Sequence, residues 1–497
     1  MSENKKYDLL NDFENQILLE LTELIQSKSI KKIRDFLDQY TLADIAYATE
    51  SLDPSSQLFL LRSLKTVDAA ELFSYLDENI QFKLVNNLTE EWGMKLLQEL
   101  QTDELADILE DLPANLTRKI LNNTDPQKRE KINSILSYND NQVGSIMSVD
   151  ISTVTNTLTC KKALAKIRRD YKNKVELSHH LYVVDQRGVL LGSVMLEEIV
   201  FSDEEEIIDE IYSPVRSVHT YDSKEEASLI FADQDQSALP VINRENYLIG
   251  MITSDDVIDV IQEAATEDIY KMSGINPDAA EESYLKTTVW TIVKSRILWL
   301  LILMLSATIS QLVIEKFTNI SESFLTETLH ITIPAAIIVA LIPVISGSAG
   351  NAGSQSSTTI TRATALGELE FRDAGKAILK EVRVAIIVGV LMFIFNILRL
   401  FLYFVIFRTA GVPWSALAFV ILGSSFSLFA VVIIAKMLGT VIPIIAVKFK
   451  KDPAVMSAPI LATLSDAIST LIFFGINIGM LTLGVALGII PTNPIVN

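Results

Sequence analysis

The chain has 497 residues, more than one hydrophobic core sustains, so several domains are expected. Its formal net charge of −20 argues against a nucleic-acid partner, whose binding surface would be basic, and suits cations or simple solubility. A single cysteine, Cys160, excludes an internal disulfide and a cysteine-built zinc site, and the four histidines (His179, His180, His219, His330) have no metal-ligand spacing.

The N-terminal MSENKKYDLL is polar and carries no signal-like apolar region, so the first half of the chain is expected to start in the cytosol. Met1–Lys32 reads as a helical lead-in. From 40 to 135 the sequence repeats every 24 residues: Leu64, Leu88 and Leu112 keep one offset, Leu52, Leu76 and Leu100 a second, and Leu60, Leu84, Ile108 and Ile132 a third. Within each unit apolar residues recur at three and four, the helical period, which predicts stacked helix pairs over residues 1–135. One of these units carries an acidic stripe, Asp103, Glu104, Asp107 and Asp111.

Residues 143–262 contain two copies of a mixed α/β unit. LYVVDQRGVLLGSVMLEEIV begins at Leu181 and LPVINRENYLIGMITSDDVI at Leu239, an offset of 58, and each reads strand, turn, strand, helix. Predicted helices precede them at Lys161–Tyr171 and Lys224–Ala232. After Thr253 a helix carries Asp255, Asp259, Glu263 and Glu267 at four-residue steps, followed by Asp268. Residues four apart share a helix face and like charges there repel by a few tenths of a kcal/mol per pair. Such a stripe is either a solvated face or a set of ligands for cations that bridge domains.

From Trp290 onward apolar runs dominate. A helix needs roughly 20 apolar residues to cross a bilayer, and five spans are predicted: about 297–314, 331–346, 384–407, one within 415–447, and 459–481 or beyond. Lys and Arg concentrate before the first span, between the second and third, and between the fourth and fifth. That alternation predicts a multi-pass protein with its N-terminus in the cytosol and its C-terminus outside. Two features inside this half ask for a function. The run PVISGSAGNAGSQSS (343–357) allows either close helix packing or a backbone that leaves the helix, and Asn351 and Gln355, four apart, favour a polar lining. Asp466, in LATLSDAIST, is an acid inside a span; it is protonated, paired with Lys436 of span four, or faces an ion path. A carboxylate with amide and carbonyl oxygens suits a hard cation, and Mg²⁺ gives up its waters reluctantly, so few direct ligands would suffice.

The two α/β copies resemble a tandem pair of CBS domains. That resemblance implies either an adenine-nucleotide site, with the ribose at Thr253 and Asp256 after Gly250 in the second copy, or a purely structural pair, since the first copy departs from the ribose pattern with Met195 and Glu198. Together with PVISGSAGNAGSQSS, ATEDIYKMSGI (265–275) and KDPAVMSAPILATLSDAIST (451–470), the whole chain resembles the MgtE magnesium transporter family. The resemblance implies an all-α helical-repeat domain (1–135), α/β tandem CBS domains (143–262), a connecting or plug helix region (263–284) and a five-helix transmembrane domain (285–497). It implies a homodimeric Mg²⁺ channel in the cell membrane, held closed by cytosolic Mg²⁺, with ATP or a related nucleotide as a further regulator. Carried over by motif, Asp466 is the pore carboxylate beside Ala462, and Asp452 lies at the cytosolic mouth. Asp103 and Asp107 are ligands from the repeat domain, Glu225 and Asp235 from the second CBS unit, and Asp256, Asp259, Glu267 and Asp268 from the connecting helix. Gln262, Ala264 and Ser223 depart from the acids common at those places in the pattern.

Rival readings are a transporter of Co²⁺ or Mn²⁺, a membrane-anchored Mg²⁺ or nucleotide sensor without transport, and a CBS-regulated anion channel. The intramembrane acid opposes the last two. A soluble enzyme is disfavoured, since no phosphate-binding loop, dinucleotide fingerprint or nucleophile–base motif is present.

Overall fold

The computed structural model describes residues 3–85, 91–173, 175–234, 236–277, 284–285, 287–331, 333–407, 412–449 and 451–491. Two compact units form, Met1–Ile261 and Gln262–Asn497.

The first unit opens with α1 (Glu3–Gln26) and α2 (Ile30–Leu37) and continues as helix pairs: α3 (Leu42–Glu50) with α4 (Pro54–Ser63), α5 (Thr66–Ser74) with α6 (Glu78–Val85), α7 (Glu91–Glu99) with α8 (Thr102–Asp111), and α9 (Ala114–Asn123) with α10 (Pro126–Ile135). Capping chemistry recurs with the 24-residue period. Asp53 accepts from the Ser55 and Ser56 amides, Asp77 from Asn79, and Asp125 from Gln127 and Lys128, each satisfying amide donors that a helix start leaves open. In the third unit Gln101 stands in place of that aspartate, and Glu104 accepts from the Gln101 amide instead. The equivalent Leu60, Leu84, Ile108 and Ile132 are all buried in one continuous core, as the period requires.

After α11 (Val143–Ile146) come the two α/β copies. The first is β1 (Thr153–Thr155), α12 (Cys160–Lys172), β2 (His180–Val184), β3 (Leu190–Met195), α13 (Leu196–Phe201) and α14 (Ile208–Ile211). The second is β4 (Val218–His219), α15 (Lys224–Ala232), β5 (Ala238–Ile242) and β6 (Leu248–Thr253). Each forms a three-stranded sheet with its first strand parallel and its third antiparallel to the middle one. Gly188 and Asn246 take the same left-handed turn position, φ +94° and +63°, in the two copies. The hairpins are stitched to each other there, Leu190 N–H donating to Asn246 O and Leu248 N–H to Gly188 O.

α16 (Ser254–Met272) follows, and the boundary between the units falls inside it. The second unit adds α17 (Val289–Ser323), which ends in a π-helical turn at Phe324–Thr328, then α18 (Ala335–Val339), α19 (Ile342–Ala365), α20 (Ala374–Ile406), α21 (Trp414–Lys448) and α22 (Pro453–Ala486). Among the described residues, five helical segments are long and apolar enough to cross a membrane. The chain therefore combines an all-α repeat domain, an α/β CBS pair and five apolar helices, and the last make it a multi-pass membrane protein.

One open alternative is decided and one expectation is corrected. The glycine- and serine-rich run does not leave the helix: it is the body of α19, and one of its glycines, Gly353, meets neighbouring helices, whereas nothing lies within 4 Å of a Cβ built on Gly347 or Gly350. Gly353 lies against the Ala435 carbonyl of α21, and a Cβ on Gly439 would sit 2.2 Å from the Gly353 carbonyl oxygen. The charged stretch before span three is not a loop either. α20 starts at Ala374, ten residues ahead of the apolar run, so Lys376, Lys380, Glu381 and Arg383 are helical. Gly439→Ala is expected to push α19 from α21 at a cost of roughly 1–3 kcal/mol, typical of overpacking. Thermal unfolding in detergent checks this, with Gly475→Ala as the control, since nothing lies within 4 Å of a Cβ built there.

Candidate functional site

Three sets of polar groups stand out, one in the first unit and two in the second. In the first unit, α8 brings Asp103 and Asp107 toward Glu176, ahead of β2, and Asp256, at the start of α16. A separate bond network seats α8: Asp150 Oδ2 accepts from the Thr102 amide at 3.1 Å and from its hydroxyl, while Lys131 pairs with Asp150 Oδ1 at 2.7 Å. Burial pushes the Asp103 carboxyl up to about 8, helped by the charges of Glu176, Glu104 and Asp256. Asp107 opens to solvent on one side, but the protein around it and the charges of Asp256, Glu110, Glu78 and Glu104 still raise it to about 7. Glu176 and Asp256 are raised too, chiefly by burial. Asp103 Oδ1 and Glu176 Oε2 are buried oxygens with no hydrogen-bond partner. Orphaned acceptors among mutually raised carboxylates fit a cation better than any other occupant.

Asp256 also accepts from the Thr253 amide at 3.0 Å and the Thr253 hydroxyl at 2.6 Å, so the two residues proposed for a ribose bond each other at the N-terminus of α16. Asp259 and Glu263 are exposed farther along this helix, and Glu225 lies in the first turn of α15. Asp235 lies outside the described residues.

The second set lies at the far end of α16. Lys271 Nζ sits 2.5 Å from Glu267 Oε1 and 2.7 Å from Asp452 Oδ2, and Asp452 caps α22 through the Ala454 amide at 2.8 Å. Burial, then the charge of Asp452, raises the Asp268 carboxyl. Sequence reasoning named Glu267, Asp268 and Asp452 but missed Lys271, whose position one turn after Glu267 was the available signal.

The third set is inside the helix bundle. Asp466 lies on α22 about 20 Å from the helix start at Pro453, counting 1.5 Å per residue. It is partly buried, and among the described residues no side chain hydrogen-bonds or ion-pairs with its carboxylate. Ala462 lies one turn earlier on the same helix. Lys436 does not pair with Asp466. Buried on α21, it donates to Ser356 Oγ of α19 at 3.0 Å and faces Glu381 Oε2 of α20 at 3.6 Å, while Ser356 Oγ donates to Glu381 at 2.7 Å. A lone charge at such depth costs about 3 kcal/mol on insertion scales, so Lys436 and Glu381 need each other. Glu381 was invisible from sequence because it precedes the apolar run. Asn351 and Gln355 lie on α19 and are exposed.

Among the described residues no three acid, histidine or cysteine side chains converge into a ready-made metal cage.

Three family models match the chain: the MgtE intracellular N domain at 40–141, the CBS domain at 143–204 and 207–263, and the divalent cation transporter MgtE at 342–476. The chain is 28% identical to the magnesium transporter MgtE of Thermus thermophilus over 468 residues, 93% of this chain and 98% of that protein. It is 25% identical to the magnesium transporter MgtE of Bacillus subtilis, over 96% of this chain and 98% of that protein. Among solved structures it is similar to the cytosolic domain of the Mg²⁺ channel MgtE in complex with ATP, with 28% identity, a TM-score of 0.46, and coverage of 49% of this chain and 99% of that one.

Proposed function

Because the chain belongs to the MgtE family of magnesium transporters, we propose that it moves Mg²⁺ across the cell membrane and is gated closed by cytosolic Mg²⁺. The observation that carries this reading is Asp466, a carboxylate inside a membrane span whose counter-ion candidate from the sequence, Lys436, is engaged by Glu381 and Ser356 instead. An unpartnered acid at that depth needs a hydrated cation path to offset its cost. Asn351 and Gln355, exposed polar side chains on the crossing helix α19, support a path completed by a second copy in a homodimer. The Lys and Arg distribution supports an N-terminus in the cytosol and a C-terminus outside.

Gating follows from the two acidic sets that α16 carries. With Mg²⁺ scarce, Asp103, Asp107, Glu176 and Asp256 can share this site only by keeping protons or moving apart, and Asp268 and Asp452 likewise repel when both are charged. With Mg²⁺ abundant, the cation bridges them and holds α16 in the closed arrangement, with Asp259, Glu263 and Glu225 adding negative potential. Such a switch requires Mg²⁺ to bind the closed state more tightly; moving the balance from 1:99 to 99:1 takes about 10⁴-fold. An adenine nucleotide is proposed as a further regulator, its ribose exchanging into the Thr253–Asp256 pair.

The test is Mg²⁺ uptake into liposomes containing the purified chain. Uptake is expected when Mg²⁺ on the side of the first unit is chelated, and suppression when it is raised to millimolar. Absence of uptake from either face under chelation would overturn transport and leave a sensor.

A further inference from the structure

Lys436, Glu381 and Ser356 are not used by the mechanism above, yet they form the one charged side-chain cluster that ties together α19, α20 and α21 among the described residues. Their place is specific. α19 and α21 touch backbone to backbone where Gly353 meets Ala435 and Gly439. Ser356 is one turn from Gly353, and Lys436 is adjacent to Ala435 and one turn from Gly439. The backbone contact of Gly353 with Gly439 allows close approach and apolar packing of Ile345, Ala349 and Ala352 seats α19, but neither supplies a directional bond. The ion pair supplies what the glycines lack: a directional bond from α21 to Ser356, and a second from Ser356 to α20.

The same helix carries Asn351 and Gln355, about 140° and 100° around α19 from Ser356 at 100° per residue. Those side chains are exposed, so their direction follows the rotation of α19, which its buried face and the ion pair set together. An ion pair of this kind is not needed for stability, since apolar side chains of similar volume serve as well; its attested use is to select one arrangement among several.

We infer that Lys436 and Glu381, acting through Ser356, are positioning residues for permeation: they set the rotation of α19 and hence the ion discrimination of the polar face that bears Asn351 and Gln355. The inference rests on the reading that the chain conducts Mg²⁺. The pair need not meet the ion, so its loss changes selectivity before it changes the amount of folded protein.

The experiment uses the full chain in liposomes and measures Mg²⁺ flux and its ratio to Co²⁺ flux at low Mg²⁺. Two variants are compared with wild type. Lys436→Met with Glu381→Gln removes both charges at similar volume and leaves no unpaired ion. Ser356→Ala keeps the ion pair and cuts its tie to α19, so it serves even where the double variant fails to fold. The Mg²⁺-to-Co²⁺ ratio is expected to shift about tenfold in the double variant and about threefold in Ser356→Ala, one factor of ten corresponding to about 1.4 kcal/mol. A ratio unchanged from wild type in Ser356→Ala, whether flux is full or uniformly reduced, overturns the inference and makes the pair a structural tie only. Wild-type liposomes that conduct no divalent ion would instead overturn the transport reading, a distinct failure.

Discussion

Asp466→Asn is expected to lower Mg²⁺ flux by at least about 100-fold, equivalent to about 2.7 kcal/mol of lost stabilisation for the ion in transit. The reasoning starts from the cation. Mg²⁺ sheds water at high cost, so a pore that passes it must offer compensating negative charge where the water shell is disturbed. Asp466 is placed for this role because its carboxylate has no partner among the described residues and Lys436 is engaged elsewhere. Asparagine keeps the shape and an oxygen ligand but removes the charge. The same change removes a carboxylate that the fold leaves unpaired, so the variant is expected to melt no lower than wild type and up to a few degrees higher. Flux in liposomes and thermal unfolding in detergent are measured on the same preparation. Loss of flux with preserved stability assigns Asp466 to the path, whereas equal flux in the two proteins would remove it from the pore while leaving transport intact.

Asp103→Asn combined with Asp107→Asn is expected to raise the Mg²⁺ concentration needed for inhibition by about tenfold or more, as loss of charged ligands does. The effect has a pH signature. Asp103 is raised to about 8 and Asp107 to about 7 in the folded, metal-free protein, against an ordinary value of 3.8. A carboxylate raised by folding holds its proton more tightly in the folded state. Its contribution to stability is complete below the unfolded value and is lost as pH rises through the folded one. The first unit without Mg²⁺ is therefore expected to lose stability progressively between about pH 4 and 8, most steeply between about pH 5 and 6.5, where both groups hold protons only in the folded state, and to level off above about pH 8. Mg²⁺ must displace those protons, so its inhibitory concentration is expected to fall as pH rises from 6 to 8. Inhibition curves at several pH values, and hydrogen exchange at the α8 amides in EDTA, check both halves. The double variant should flatten both dependences. Unchanged inhibition in the variant would move the sensor away from α8.

Much of this was legible in the sequence because it depends on local chemistry. The 24-residue period carries its own helix caps, Asp53, Asp77 and Asp125, and its own core positions, so the repeat could be read without knowing how the units stack. The two α/β copies keep an offset of 58 down to the left-handed turn shared by Gly188 and Asn246. Five apolar runs are a matter of length and hydropathy, and Asp466 stands out because an acid in such a run is costly wherever the helix lies. Tertiary structure alone decided the partners. Whether Lys436 neutralised Asp466 depended on a third helix: Glu381 looked like part of a cytosolic loop until α20 carried it into the bundle. Whether PVISGSAGNAGSQSS packed closely on a neighbour depended on what faced it, and α21 brings Gly439 and Ala435 against the Gly353 backbone. Lys271 and Glu176 became relevant only when folding set one beside Asp452 and the other beside Asp103. Residue type and spacing determine helix, strand and depth, but the counter-ion of a buried charge is chosen by side chains distant in sequence, and only packing brings those within reach.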